Sequence, residues 1–433
     1  MSASVKGTGG SAGCRQRDKV PVVSAAPSLD LRLSVPRAAL WLVALKPLVD
    51  VFFESGPSVT LDLGVAYTGL GLILFAFWLA TKRRAPWATW LAVASTAALV
   101  VISLALTVVH RDLAPLVEGS RVAAGLVVGL MVLPWEKDAR HRLPLTQVRV
   151  FLAGVGVHVV GAFLQAAGKM EMTYFQSGSG RPSGFYYHPV SLGFALVASL
   201  LLVGVLHTRR VIGGLAAAGL TAIIVFACVL STHRASLVAM SVVLVSWAVI
   251  AFLNTRRVQS RSVAVWALLG LAALGAAAAY GDAIIEVAEG AAEGVAGVIT
   301  EEDLDPTSSR FLRGRGVRWA LAVDVISQAT FMEAMLGYGW QVVDPHSDYL
   351  RLALVHGVVG SLLVLSLLVY WGTAASQGAD LVGRAWVFVA LATMAVYAIT
   401  AKPTSYPSFM WAWALVLWVA RSSTPRAAAG AAT

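Results

Sequence analysis

The feature that most restricts this chain is a series of apolar runs, each about 20 residues long, that recurs from about residue 37 to residue 420. Twenty residues of α-helix rise about 30 Å, the thickness of the hydrocarbon core of a bilayer. No water reaches backbone amides there, so a spanning segment must be a helix or a strand of a closed barrel. Barrel strands read as segments of about 10 residues with alternating polarity, and these runs do not alternate. Charged residues make up 13% of the 433, about half the share of a soluble domain. The expected fold is an all-α integral membrane protein.

Twelve spans are expected, at about 37–54, 60–80, 86–109, 113–134, 148–168, 189–207, 211–231, 235–253, 262–281, 349–371, 384–401 and 407–420. With the N-terminus inside, every short loop on the cytoplasmic side is basic: Lys82, Arg83 and Arg84; Lys137, Arg140 and Arg142; Arg209 and Arg210; Arg256, Arg257 and Arg261; Arg384; Arg421 and Arg426. Positive residues collect on that side of multi-pass proteins. The same bias accounts for the net charge of +10, so nucleic acid is not an expected partner. The layout is a disordered cytoplasmic tail (1–36), spans one to nine (37–281), a large outer loop (282–348), spans ten to twelve (349–421) and a second cytoplasmic tail (422–433). Cys14 and Cys228 fall at opposite sides of the membrane in this layout, and no disulfide is expected.

The outer loop divides by charge. Between Asp282 and Asp305 every charged residue is acidic, and Glu286, Glu289 and Glu293 share one helical face. A solvated surface helix is the plain reading of that stretch. Arg310, Arg313, Arg315 and Arg318 follow at once, with Pro306, Ser308 and Ser309 as start signals for a helix continuing through Trp319, Ala322 and Val323. Gly314 and Gly316 flank Arg315 and leave it little crowded.

Three outer segments concentrate polar groups: Arg181 to Pro189, Ser231 to Arg234, and the arginine cluster followed by Gly337-Tyr-Gly339 and Pro345-His346-Ser-Asp348. Together they suit a diphosphate. Guanidinium groups keep their charge and grip phosphate oxygens in a fork, and several of them neutralise a diphosphate as it leaves. A histidine nearby takes a proton from an acceptor hydroxyl at working pH, and Asp348 is a candidate to orient its ring. Each residue has a plainer role as well. His346 can cap the next span, Arg234 can snorkel to headgroups, and Arg310, Arg313 and Arg318 can hold anionic lipid. Within the spans, Arg121 is expected to pair with Glu118 and Lys46 with Asp50. The tryptophans read as interfacial anchors.

The segment HSDYLRLALVHGVVG, His346 to Gly360, resembles the C-terminal signature of the O-antigen ligase and O-antigen polymerase superfamily. Arg315-Gly-Val-Arg-Trp319 followed by Gly337-Tyr-Gly339 resembles that family's Arg-x-x-x-Trp and Gly-x-Gly. Arg234 in STHRAS matches its Ser-Arg at the outer end of a span, and Arg181 with Gly184 and Phe185 its Arg-x-x-Gly-x-Phe loop. Three positions depart from the pattern: Ser347 for Asn, His188-Pro189-Val190 for Asn-Pro-Asn, and His356 before Gly357 for an acid. The resemblance covers about residues 175–400.

It implies a glycosyltransferase C class fold in the bacterial plasma (inner) membrane, with both termini cytoplasmic and the active site on the outer face. It implies metal-independent transfer, with inversion, of a glycan from a polyprenyl-diphosphate carrier to a hydroxyl of a glycan, lipid or protein acceptor. By position, Arg234 and Arg315 would bind the diphosphate, Arg181 and Arg318 would add contacts, and His346 would activate the acceptor. Arg313, Asp348 and Lys402 are secondary candidates. Beyond membrane lipids, donor and acceptor, no partner is expected. No cofactor is expected either, since the histidines are scattered without ligand spacing and no nucleotide-binding motif is present. The competing class is a transporter or flippase for a lipid-linked or small anionic solute, although no internal repeat supports it.

Overall fold

The computed structural model describes residues 31–53, 60–81, 85–133, 143–172, 175–176, 179–186, 188–231, 233–254 and 315–422. Their order is α1 (Leu31–Phe53), α2 (Thr60–Thr81), α3 (Trp87–His110), α4 (Ala114–Val132), α5 (Leu145–Ala166), β1 (Phe175–Gln176), β2 (Ser179–Gly180), α6 (Pro189–Thr208), α7 (Gly214–Leu230) and α8 (Arg234–Asn254). After the span expected at 262–281, which lies outside the described residues, come α9 (Arg315–Ser327), α10 (Phe331–Leu336), α11 (Asp348–Ser376), α12 (Leu381–Thr400), a 3-10 turn (Pro403–Ser405) and α13 (Pro407–Arg421). The two strands form a minimal antiparallel hairpin, Phe175 opposite Gly180.

Seven of these helices are long and apolar enough to cross a membrane: α3, α4, α5, α6, α8, α11 and α12. The protein is a multi-pass, all-α membrane protein. α1 begins at Leu31, inside the stretch expected as tail; residues 1–30 and 423–433 lie outside the described residues.

Hydropathy alone does not say which helices are central, since α3, α6 and α8 are about equally apolar. Of the most apolar window of α6, 89% is buried, against 33% in α3 and in α8. α6 and α13 fill the middle, and outward residues such as Val101, Val108, Val245 and Phe252 stay exposed, as lipid requires. Apolar contact alone drives no helix association in lipid, so close packing and interhelical hydrogen bonds carry it. The indole of Trp371 lies against Gly129 and that of Trp386 against Gly204, where a side chain on either glycine would collide.

Five tryptophans, Trp247, Trp371, Trp386, Trp411 and Trp413, are fully buried, which corrects the interfacial reading for them. Three of these indoles find acceptors across helices: Trp411 Nε1 donates to the Ala124 carbonyl at 2.8 Å, Trp413 Nε1 to that of Ala390 at 3.0 Å and Trp386 Nε1 to Thr208 Oγ1 at 2.9 Å. A satisfied N–H lets so large a side chain serve as core filler.

The two ends of the bundle differ. At one, Arg209 after α6 reaches Asp380 before α12 (3.1 Å) and the Ala420 carbonyl of α13 (2.6 Å). At the other, the chain entering α6, α8, α11 and α13 meets the ends of α5 and α12. α11 is broken there: Gly357 has φ +61° and ψ −166°. The carbonyls of Leu354 and Val355, freed by the break, accept the amides of Tyr338 (2.8 Å) and Gly339 (2.9 Å). That clip docks the α10 segment onto α11 and brings the loop ahead of His346 to this end of the bundle.

Candidate functional site

His346 stands just before α11, with Ser347 as its N-cap. Its backbone is left-handed, φ +49°, a conformation disfavoured for residues with a Cβ. It is held there by its own amide, which donates to Asp344 Oδ1 at 3.0 Å. The same oxygen lies 3.7 Å from Nδ1 of the ring. On the far side of the ring, Nη1 of Arg318 is 2.7 Å from Nε2. A guanidinium only donates, so Nε2 carries the lone pair and the ring proton sits on Nδ1, facing Asp344. Lys402 reaches across from the turn after α12 and donates to both carboxylate oxygens of Asp344 at 3.1 Å, and to Gln341 Oε1 at 3.3 Å. Burial works against the charge of Asp344, but the His346 amide and the Lys402 and His346 charges prevail and hold its carboxyl below the usual range.

The Arg181–His188 segment arrives from the other side. Gln165, at the end of α5, fixes it with a bidentate clamp. Its carbonyl oxygen accepts the amides of Ser183 and Gly184, both at 2.8 Å, and its NH2 donates to the carbonyls of Gly184 (2.9 Å) and Glu171 (3.0 Å). Gly184 takes φ +66° and lies against the His158 carbonyl, where a Cβ would not fit. His188 caps α6, its Nδ1 accepting the amide of Val190 at 3.1 Å. Its proton is therefore on Nε2. Burial, followed by the charges of Arg181, His346 and Lys402, pushes its pKa down to about 4. It is thus a neutral N–H donor at physiological pH, within electrostatic reach of all three.

So Arg181, Arg318, Lys402 and His346 share one surface, joined by His188, Asp344 and Gln341. Lys402 is engaged by Asp344 rather than standing free. Asp348 has a different task from the one expected. Its Oδ1 accepts from Arg351 Nε (3.0 Å) and Thr404 Oγ1 (2.8 Å), and its Oδ2 accepts the Thr404 amide (2.9 Å). The carboxylate beside His346 is Asp344. Arg351, fully buried, continues to Glu118 at 3.3 Å, which also takes Arg121 at 2.9 Å. The Arg121–Glu118 and Lys46–Asp50 pairs form as expected.

Arg234 is the first residue of α8 and Arg315 the first of α9; their side chains lie outside the described residues, as does Arg313. The backbone of Arg234 is anchored at this end of the bundle. Its neighbour His233 bonds Ser236 (2.6 Å) and Tyr397 (3.3 Å), and Ser236 and Tyr397 bond each other. The Ser347 hydroxyl meets the Ala398 carbonyl, one residue further along α12, at 3.4 Å.

Sequence reading missed Asp344, Gln341, Gln165 and the participation of His188. The one local signal was Asp344 two residues before His346, an Asx-turn spacing. The partners of the other residues come from distant segments. Among the described residues no three His, Cys, Asp or Glu side chains gather in a metal-binding arrangement. Compared with known families and curated proteins, the chain matches no family model and no curated sequence.

Proposed function

We propose that this protein transfers a glycan from a polyprenyl-diphosphate carrier to an acceptor hydroxyl in surface polysaccharide assembly, as a ligase or polymerase of the O-antigen type. In this reading it is a glycosyltransferase C class enzyme of twelve spans in the bacterial inner membrane, with cytoplasmic termini and the His346 end facing outward. The observation that carries the reading is a cluster at one end of the bundle, in which Arg318 bonds His346, Lys402 bonds the neighbouring Asp344, and Arg181, His346 and Lys402 all act electrostatically on His188. Such a set of donors suits a diphosphate, and an imidazole in its midst suits an alcohol that must lose a proton. The basic loops at the other end support the orientation.

In the proposed reaction the acceptor oxygen attacks the anomeric carbon, its proton passes to Nε2 of His346, and the bond to the carrier breaks with its electron pair on the diphosphate. Arg234 and Arg315, with Arg181 and Arg318, neutralise that charge. Arg318 donates to Nε2, so it must swing away before His346 acts as base, and a diphosphate is an anion that can draw it off.

Among the described residues, the break of α11 at Gly357 is the feature that favours a transporter or flippase, since such proteins place solute at interrupted helices. Here the freed carbonyls are taken up by the Tyr338 and Gly339 amides, which leaves the enzyme reading ahead. Purified protein in lipid nanodiscs, given a polyprenyl-diphosphate-linked glycan and acceptor without nucleotide or metal, is expected to form the transferred product. His346→Ala and Arg315→Ala should abolish it with expression and insertion intact. Full activity in both variants would defeat the site, and translocation in liposomes without transfer would favour the transporter.

A further inference from the structure

The carboxylate that acts on His346 does so through two contacts of different kind. Asp344 holds the backbone of His346 through its amide at 3.0 Å, and it faces Nδ1 at 3.7 Å, the nitrogen that must carry the proton because Arg318 donates to Nε2 at 2.7 Å. Lys402 bonds both oxygens of that carboxylate. From this geometry we infer that Asp344 is the positioning residue of His346, setting its tautomer and the strength of its basic nitrogen, and that Lys402 tunes Asp344. The inference rests on His346 being the base of the proposed transfer, and it names the residues that make it one.

The chemistry is that of a base paired with an orienting acid. When Nε2 accepts the acceptor proton, the ring becomes a cation with N–H groups at both nitrogens. Asp344 then faces the second N–H and stabilises the charge without taking the proton. Lys402 opposes this, because its ammonium offsets part of the carboxylate's negative charge. It also keeps the carboxylate from swinging away, joining the loop before α11 to the turn after α12. Arg318 from α9 also faces the ring, and His188 from the entry to α6 lies within electrostatic reach of it and of Arg181. The cations Arg318 and Arg181 disfavour the imidazolium, and Asp344 is the counter-charge that offsets them. Asp348 cannot substitute, being committed to Arg351 and Thr404.

Opposite shifts from two variants provide the test. In 15N-histidine NMR titrations of the full-length protein in nanodiscs, with the His346 signal assigned by its loss in His346→Gln, Asp344→Asn is expected to lower the midpoint of His346. Lys402→Met is expected to raise it. Asp344→Asn keeps an oxygen for the His346 amide, and Asp344→Glu should return part of the midpoint, so a general loss of fold is recognisable. In the transfer assay the acid limb of the rate profile should move in the same two directions. In Asp344→Asn, kcat should fall about a hundredfold or more with the donor KM little changed. Unmoved midpoints, or the same shift in both variants, would overturn the inference. Midpoints that move as expected in a protein that transfers no glycan would leave the positioning in place and remove only the glycan-transfer reading.

Discussion

At the scale of single residues, the ion pairs divide by how far apart their members lie in the chain. Lys46–Asp50 and Glu118–Arg121, spaced i, i+4 and i, i+3, were legible because the helix alone brings such neighbours together. Asp344–Lys402 and Arg318–His346, separated by 58 and 28 residues, were not, since nothing local announces them. The Asp348–Arg351 pair is local as well, yet its meaning depends on Thr404 and Glu118, which tertiary packing supplies. Arg351 is fully buried, and a buried pair deprived of one partner leaves an uncompensated charge. Asp348→Asn should therefore cost on the order of 3 kcal/mol of stability, seen as a lowered melting temperature in detergent, with the His346 midpoint unmoved. His188 carries a pH dependence of its own. Unfolded, its imidazole takes a proton near 6.5; folded, near 4. Between those values the unfolded chain binds more protons, so stability rises with pH from about 4 to 6.5 and then levels. His188→Gln should flatten that part of the melting-temperature profile.

At the scale of elements, apolar length identified helices well and helix interruptions poorly. The expected span at 349–371 is present within α11, but the sequence around Gly357 reads as one continuous helix, and the break shows only once the 337–339 segment is seen to fill it. A Cβ at Gly357 would meet Gly337 N and Met335 O at 2.5 Å, on a backbone with positive φ. Gly357→Ala should cost more than about 2 kcal/mol and loosen the α10 clip, measured as faster amide exchange at Tyr338 and Gly339. Gly156→Ala on α5, with nothing within 4 Å of the new methyl, is the control and should stay within about 1 kcal/mol. The helix expected after the arginine cluster is α9, and it exposes Leu321 and Val323. The start signals proposed for it, Pro306, Ser308 and Ser309, lie outside the described residues.

At the scale of the whole molecule, the alternation of helix direction is the property most open to test. In a Cys14→Ser, Cys228→Ala background, a cysteine at Phe331, highly exposed on the α10 segment that docks at the His346 end of the bundle, should react with a membrane-impermeant maleimide added to intact cells. One at Leu381, exposed at the opposite end, should react only after the membrane is opened. Labelling of Leu381→Cys from outside would reverse the orientation and with it the proposed function. Hydropathy along the chain is enough to fix the solvent and the helical secondary structure, because in lipid the hydrogen-bonding demand of the backbone leaves helix as the answer for long, non-alternating apolar runs. The sequence also ordered the basic loops along the chain, since charge is read residue by residue. Which helices lie inside, which tryptophans leave the interface, and which carboxylate meets His346 were decided only by tertiary structure. Those choices depend on steric fit between segments far apart in the chain, where a glycine opposite an indole or a lysine 58 residues from its aspartate has no local signature.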